Sequence, residues 1–207
     1  LIFGNKYVAS NRTGSAYYIS PKELKKFSFT DINRALRTVP EVNTYEEDGF
    51  GLRPNISLRG TSPERSSKIT MMEDGVLIAP APYSASSAYY FPTIARMEAV
   101  EVLKGSSQIQ YGPFTTGGAI NMISNQIPES FGGRIRSSYG SFNSSQFHAI
   151  IGDHINNFGY SLEYLNYGSD GFKKLSNDKN TGFDKNDMVL KFKVNLFPQA
   201  AVKQSLE

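Results

Sequence analysis

The chain has 207 residues, 39% of them hydrophobic, with 22 basic and 19 acidic side chains that leave a formal charge of +3. That length suits one medium domain or a small domain with an appendage, and the charges are spread without the dense Lys/Arg cluster that nucleic acid favours, so no nucleic-acid partner is expected. The lack of cysteine excludes disulfide scaffolds, thiolate metal sites and cysteine nucleophiles and is compatible with an oxidising compartment; no run reaches the roughly 18 apolar residues of a spanning helix, so any tie to a membrane is peripheral or through strands.

Leu1-Ile2-Phe3 opens without an initiator methionine or signal peptide, and Leu206-Glu207 falls inside what reads as an unfinished hairpin, so the sequence reads as a fragment. Ser20-Pro21-Lys22-Glu23 predicts a first helix: serine caps, proline fits the first helical position and the glutamate completes a capping box. Thr30-Asp31 starts a second, with Ile32, Ala35, Leu36 and Val39 on one face before Pro40 stops it. Asn55-Ile56-Ser57-Leu58 and Glu98-Ala99-Val100-Glu101-Val102-Leu103 alternate in polarity and predict half-buried strands. Between them, 69–73 and 76–78 flank Asp74-Gly75, whose tolerance of positive φ suits a tight hairpin turn. Residues 1–127 are therefore expected to form a small mixed α+β sheet domain.

Residues 128–207 read as about four antiparallel strands with period-two alternation. Ile135, Tyr139, Phe147, Ala149, Ile151, Phe158, Tyr160, Leu162, Tyr164, Met188, Leu190, Phe192, Val194 and Leu196 share one face, and the opposite face is mostly polar, with Arg134, Arg136, His148, Glu163, Lys191 and Lys193. A short connection at 153–157 and a long, polar, glycine-rich one at 168–186 favour a membrane barrel over a soluble sandwich, because outer-membrane barrels pair short turns on one side with long loops on the other. Strands so few close no barrel, so further strands are expected beyond Glu207.

Catalytic signals are weak, and no enzyme is expected. His148 and His154, the 2 histidines, lack a carboxylate or thiol at metal-ligand spacing and read as wall or turn residues, so no metal site is assigned. Gly49-Phe50-Gly51 and Gly117-Gly118 lack the lysine and long helix of a phosphate loop, and Glu46-Glu47 read as a solvated charge run.

Arg53-Pro54-Asn55-Ile56-Ser57-Leu58-Arg59-Gly60, Met72-Glu73-Asp74-Gly75-Val76, Glu101-Val102-Leu103-Lys104-Gly105, Tyr111-Gly112-Pro113 and Gly117-Gly118-Ala119-Ile120-Asn121 resemble, in order and spacing, the plug of TonB-dependent outer-membrane receptors. Ala79-Pro80-Ala81-Pro82-Tyr83 and Gly168-Ser169-Asp170-Gly171 are similar to the ferric dicitrate receptor subgroup. The resemblance implies an α+β plug followed by the first strands of an incomplete transmembrane β-barrel, in the outer membrane of a Gram-negative-type bacterium and in contact with its lipid. It further implies that the whole receptor takes up a ferric chelate as cargo, without a resident cofactor, and meets the TonB complex through a segment upstream of this chain. Arg59 and Lys104 stand where the family's bases face barrel glutamates, as a plug-to-barrel latch; lysine in place of the commoner arginine gives a single-point contact instead of a fork. The resemblance places Arg53, Glu64, Arg65, Tyr83, Ser84, Tyr89 and Tyr90 in outward plug segments as ligand candidates, arginine for chelate carboxylates and tyrosine for an amphipathic face. Another cargo, such as a different metal complex or a carbohydrate, and a non-transporting adhesion β-protein are the alternatives.

Overall fold

In the computed structural model, which describes residues 4–11, 14–26, 31–79, 91–105, 108, 111, 116–176 and 181–195, the chain divides between Asn125 and Gln126 into two units. The first carries α1 (Lys6–Ser10), β1 (Ser15–Ile19), α2 (Pro21–Lys26), α3 (Ile32–Leu36), β2 (Val42–Tyr45), β3 (Asn55–Leu58), β4 (Ile69–Glu73), β5 (Val76–Ala79), β6 (Met97–Lys104) and β7 (Gly118–Ser124). The capping box forms as expected: the Ser20 amide donates to Glu23 Oε2 at 2.8 Å and the Glu23 amide to Ser20 Oγ at 3.3 Å. Asp31 caps α3 by accepting from the Asn33 amide at 2.7 Å. The predicted second helix is shorter than expected, since beyond Leu36 the amides of Thr38 and Val39 donate to Ala35 and Leu36, three residues back, and the last turn tightens before Pro40. The short α1, capped by the Asn5 side chain, had no strong sequence signal.

A five-stranded sheet runs in the order β1-β6-β7-β4-β5, beside a two-stranded ribbon of β2 and β3. It is mixed, because β4 pairs parallel with β7 while the other neighbours are antiparallel. Register places Val102, Ile120 and Met71 in one row, all wholly buried in the main cluster with Ile32, Leu36, Ile56 and Leu58. Each such side chain contributes about 1.5–3 kcal/mol on burial. The other face packs Ala9, Tyr18, Met72, Ala99, Leu103, Ala119 and Ile123 into a second cluster. Burial corrects the expectation of half-buried strands: all of β3 and all of β6 except Glu98 is buried, and in β6 alternation separates two interiors and not an interior from water. Asp74 and Gly75 make the predicted turn with φ of 51° and 83°. At the start of β7, Gly118 has φ of 153°, and a Cβ there would lie 2.2 Å from Leu58 Cδ1 and 2.6 Å from the Leu103 carbonyl oxygen. Only glycine fits.

The second unit is an antiparallel four-stranded sheet of β8 (Gly132–Gly140), β9 (Ser144–Ile155), β10 (Phe158–Ser169) and β11 (Phe183–Val194), in sequence order. Its registers align Ile135, Ala149, Tyr164 and Met188 in one row and Gly133, Ile151, Leu162 and Leu190 in the next, so the predicted apolar face is real. Pairing extends further than the turn signals suggested. β9 continues through His154 to Ile155 and leaves Asn156–Asn157 as a two-residue turn, while pairing of Ser169 with Phe183 trims the long connection from 168–186 to 170–182. The turn at 141–143 shares the end of the long loop, where the Asp170 amide donates to the Phe142 carbonyl at 2.9 Å. Leu196 lies outside the described residues. The opposite face is less polar than expected, since Leu165 and Tyr167 sit on it, both buried.

Candidate functional site

Pairing of Val42 with Leu58 brings the residues flanking the β2–β3 ribbon, Glu41 and Arg59, together. The Arg59 amide donates to the Glu41 carbonyl at 3.0 Å, and Arg59 and Gly60 both take left-handed φ, 53° and 74°, as the chain turns. At the end of β6, Lys104 is buried but for 3% of its surface; its Nζ donates to the Pro40 carbonyl at 2.9 Å and meets Glu41 Oε2 at 3.3 Å. Arg59 Nε reaches the same oxygen at 3.4 Å. Both predicted latch bases therefore converge on Glu41, which the sequence reading did not single out and which itself has φ of 65°. Hydrogen bonding from Lys104 first, then its charge and the Arg59 contact, hold the Glu41 carboxyl below its usual range. Gly105, with φ of 103°, adjoins the same corner: a Cβ there would lie 3.6 Å from Arg59 Nη1, an ordinary van der Waals distance, so its backbone conformation and not space asks for glycine.

A second grouping lies on the loops beyond the ribbon. Asp48 accepts from the amides of Phe50, Gly51 and Arg53 at 2.7, 2.8 and 2.9 Å, which fixes the loop that presents the exposed Arg53. Glu46 pairs with Arg37 at 2.8 Å and Glu47 accepts from Asn55 Nδ2 at 3.3 Å, so this acidic run is tied into the fold, not simply solvated. Arg65 and Ser66 take left-handed φ of 47° and 52°, held there by Asn55 Oδ1, which accepts the Arg65 amide at 2.7 Å, and by Ser66 Oγ, which bonds Pro54 and Ile56. Strain of this kind persists only where surroundings over-determine it. Glu64 and Arg65 line an open depression of about 470 Å³ with Tyr45, Glu47, Asn55, Ser62 and Pro63. Arg53 is not in its lining, and Tyr83, Ser84, Tyr89 and Tyr90 lie outside the described residues.

In the second unit His148 Nε2 and Glu163 Oε1 are 2.6 Å apart and both are 2% exposed. They are diagonal neighbours across β9 and β10, since His148 pairs with Leu165 and Ile150 with Glu163. Alternation along the strands puts both on one face, and the register of β9 and β10 brings them together. Among the described residues no group of three or more His, Cys, Asp or Glu is placed to hold a metal ion.

A family model described as the TonB-dependent receptor plug domain matches residues 9–119, more than half of the chain. The chain belongs to the TonB-dependent receptor plug family. Solved receptors resemble the plug and the strands after it together. The unliganded ferric citrate transporter FecA aligns over 93% of this chain with a TM-score of 0.76 and 25% identity. The ferric yersiniabactin uptake receptor FyuA from Yersinia pestis aligns over 89% with a TM-score of 0.71 and 24% identity, and the ferric enterobactin receptor PfeA from Pseudomonas aeruginosa over 90% with 0.67 and 18%. The chain spans only about a third of these receptors, 30%, 29% and 32% of their lengths. The α+β plug with antiparallel barrel strands read from the motifs is thus the fold of the molecule, and the similarity to FecA supports the ferric dicitrate subgroup.

Proposed function

We propose that this chain is the gate, residues 1–127, and the first wall strands, residues 128–207, of an outer-membrane receptor that actively takes up a ferric chelate, ferric citrate or a siderophore, and is not an enzyme. The observation that carries the reading is the apolar face that follows the plug: Ile135, Tyr139, Met188, Leu190, Phe192 and Val194 are 73%, 77%, 72%, 55%, 62% and 58% exposed. Such a continuous apolar surface on antiparallel strands of 9–12 residues matches the lipid-facing wall of a barrel. Phe158 stacks on Phe192 at 5.7 Å and on Tyr160 at 6.2 Å beside the Asn156–Asn157 turn, an aromatic cluster of the kind that marks a membrane interface.

On this reading the depression beside Arg65, with Arg53, Tyr83, Tyr89 and Tyr90, serves the cargo, and Arg59 and Lys104 hold the plug in its barrel with Glu41 keeping both bases in register. The TonB complex meets the receptor through a segment upstream. Ferric citrate is favoured by the FecA similarity. One observation favours a different cargo: the depression carries the carboxylates of Glu47 and Glu64 against the single guanidinium of Arg65, a poor complement to a polyanionic chelate. Growth of a deletion strain on single iron sources separates these. Loss of growth on ferric citrate alone supports the citrate reading, loss on another chelate reassigns the cargo, and unimpaired growth on every ferric chelate overturns iron uptake.

A further inference from the structure

Glu101 lies midway along the central strand β6 and is wholly buried, on the sheet face that packs α1. A carboxylate in such a place is tolerated only when its oxygens receive donors. One oxygen accepts the amide of Gly4 at 3.0 Å, 97 residues away in sequence. The other accepts Asn121 Nδ2 at 2.8 Å from the neighbouring strand β7, and Asn121 is itself wholly buried. Asn121 Oδ1 then accepts the amide of Gly75 at 2.8 Å, in the turn between β4 and β5. A continuous series of hydrogen bonds thus runs from the N-terminal segment, across two buried side chains, to a hairpin turn. The adjoining Asp74 joins the same strand end: its amide donates to the Met122 carbonyl at 2.9 Å and its carboxylate accepts from the Ser124 amide at 2.9 Å. Opposite Glu101 on β1 lies Tyr18, whose hydroxyl is pushed above the usual tyrosine range by burial first and by the Glu101 charge second.

We propose that Glu101 is a catch that fastens the N-terminal segment, residues 4–11, to the plug sheet, and that detaching this segment is transmitted through Asn121 to the Asp74-Gly75 turn. The device rests on the reading of the chain as a gate, since a pull on the polypeptide upstream would act on this bond. When Gly4 leaves, an interior carboxylate loses a donor and draws in water, and Asn121 reorients to compensate. Its hold on the Gly75 amide then weakens. A local event at one end of the plug so loosens the edge hairpin of the sheet, β4 and β5.

Amide hydrogen exchange on the full receptor without cargo tests this from both ends. Glu101→Gln keeps the volume and removes the charge and one acceptor; it should speed exchange in residues 4–11 and at Gly75 by at least tenfold and leave the β2–β3 ribbon at the wild-type rate. Gly4→Pro removes the donor and, because Gly4 has φ of 74°, which proline cannot adopt, also turns the segment away from Glu101; it should speed exchange at Gly75 at least threefold. Wild-type exchange at Gly75 in Gly4→Pro overturns the coupling, and unchanged exchange at 4–11 in Glu101→Gln, or an equal rise throughout the plug, overturns the catch. If Glu101→Gln does not fold, Gly4→Pro alone decides. These outcomes are read without transport, so a failed catch and a failed uptake assignment are told apart.

Discussion

Replacing Gly118 with alanine tests the packing logic of the plug at its tightest point. The new methyl would enter 2.2 Å from Leu58 Cδ1 and 2.6 Å from the Leu103 carbonyl oxygen, and the second neighbour is backbone that cannot swing aside. The φ of 153° adds a conformation that L residues avoid, costing about 1–3 kcal/mol, and overpacking a filled core adds about 1–3 kcal/mol. A loss of roughly 2–6 kcal/mol corresponds to a fall in midpoint of about 8 °C or more for a unit of this size, at about 4 °C per kcal/mol. Calorimetry of the full receptor, with exchange of the β6 and β7 amides to assign the transition, measures it. Leu58→Ala, which opens space for the methyl at its own cost of about 2–5 kcal/mol, should make the two changes less than additive. A midpoint shift under about 2 °C, or strict additivity with Leu58→Ala, would refute the reasoning.

Three further outcomes follow from the same structure. Ser20→Ala removes the acceptor for the Glu23 amide and should cost about 0.5–2 kcal/mol; alanine keeps the backbone amide whose donation is the first cause holding the Glu23 carboxyl low and loses only the hydroxyl's bond to it, so in acid titrations the gap between the two proteins should narrow only slightly as pH falls below the ordinary glutamate range and most of it should persist. Asp31 behaves oppositely: burial first, with Glu46 and Asp48, raises its carboxyl against donation from Asn33, so wild-type stability falls as pH climbs from about 4 through the raised value. Asp31→Asn keeps an acceptor for Asn33 and should match wild type in acid and exceed it at neutral pH in urea denaturation, whereas parallel pH curves would sink that assignment. Arg59→Ala should loosen the plug and raise the leak conductance of the full receptor in planar bilayers, an effect contradicted by conductance and plug exchange both unchanged.

Local chemistry was legible wherever one short segment determines it. The Ser20–Glu23 box, the Asp74-Gly75 turn and the two faces of β8 to β11 depend on neighbours in sequence, and all form. Misreadings arose where long-range contact decides: β6 looks half-exposed by alternation, yet a second cluster with Ala9 of α1 and Tyr18 covers the other side of its sheet, and in β3 the polar Asn55 and Ser57 are buried as well. Strand ends moved outward because cross-strand pairing continues past polar residues such as His154 and Asp184. Of the candidate site, the two bases were legible as motif members, but Glu41 was not, since its role depends on a left-handed backbone that aims one carboxylate at Lys104 and Arg59. The motif Glu101–Gly105 was likewise noticed for its lysine, while the carboxylate at its head acts on Gly4 and Asn121, partners distant in sequence.

The most direct test of the gate assignment is uptake of radioactive iron, supplied as a ferric chelate, by cells that carry the full gene, with an otherwise identical deletion strain and a culture whose inner-membrane energy has been collapsed. The account predicts saturable accumulation that is lost in both controls and restored by the intact gene. Accumulation from every chelate that is the same in the deletion strain as in its parent would contradict it.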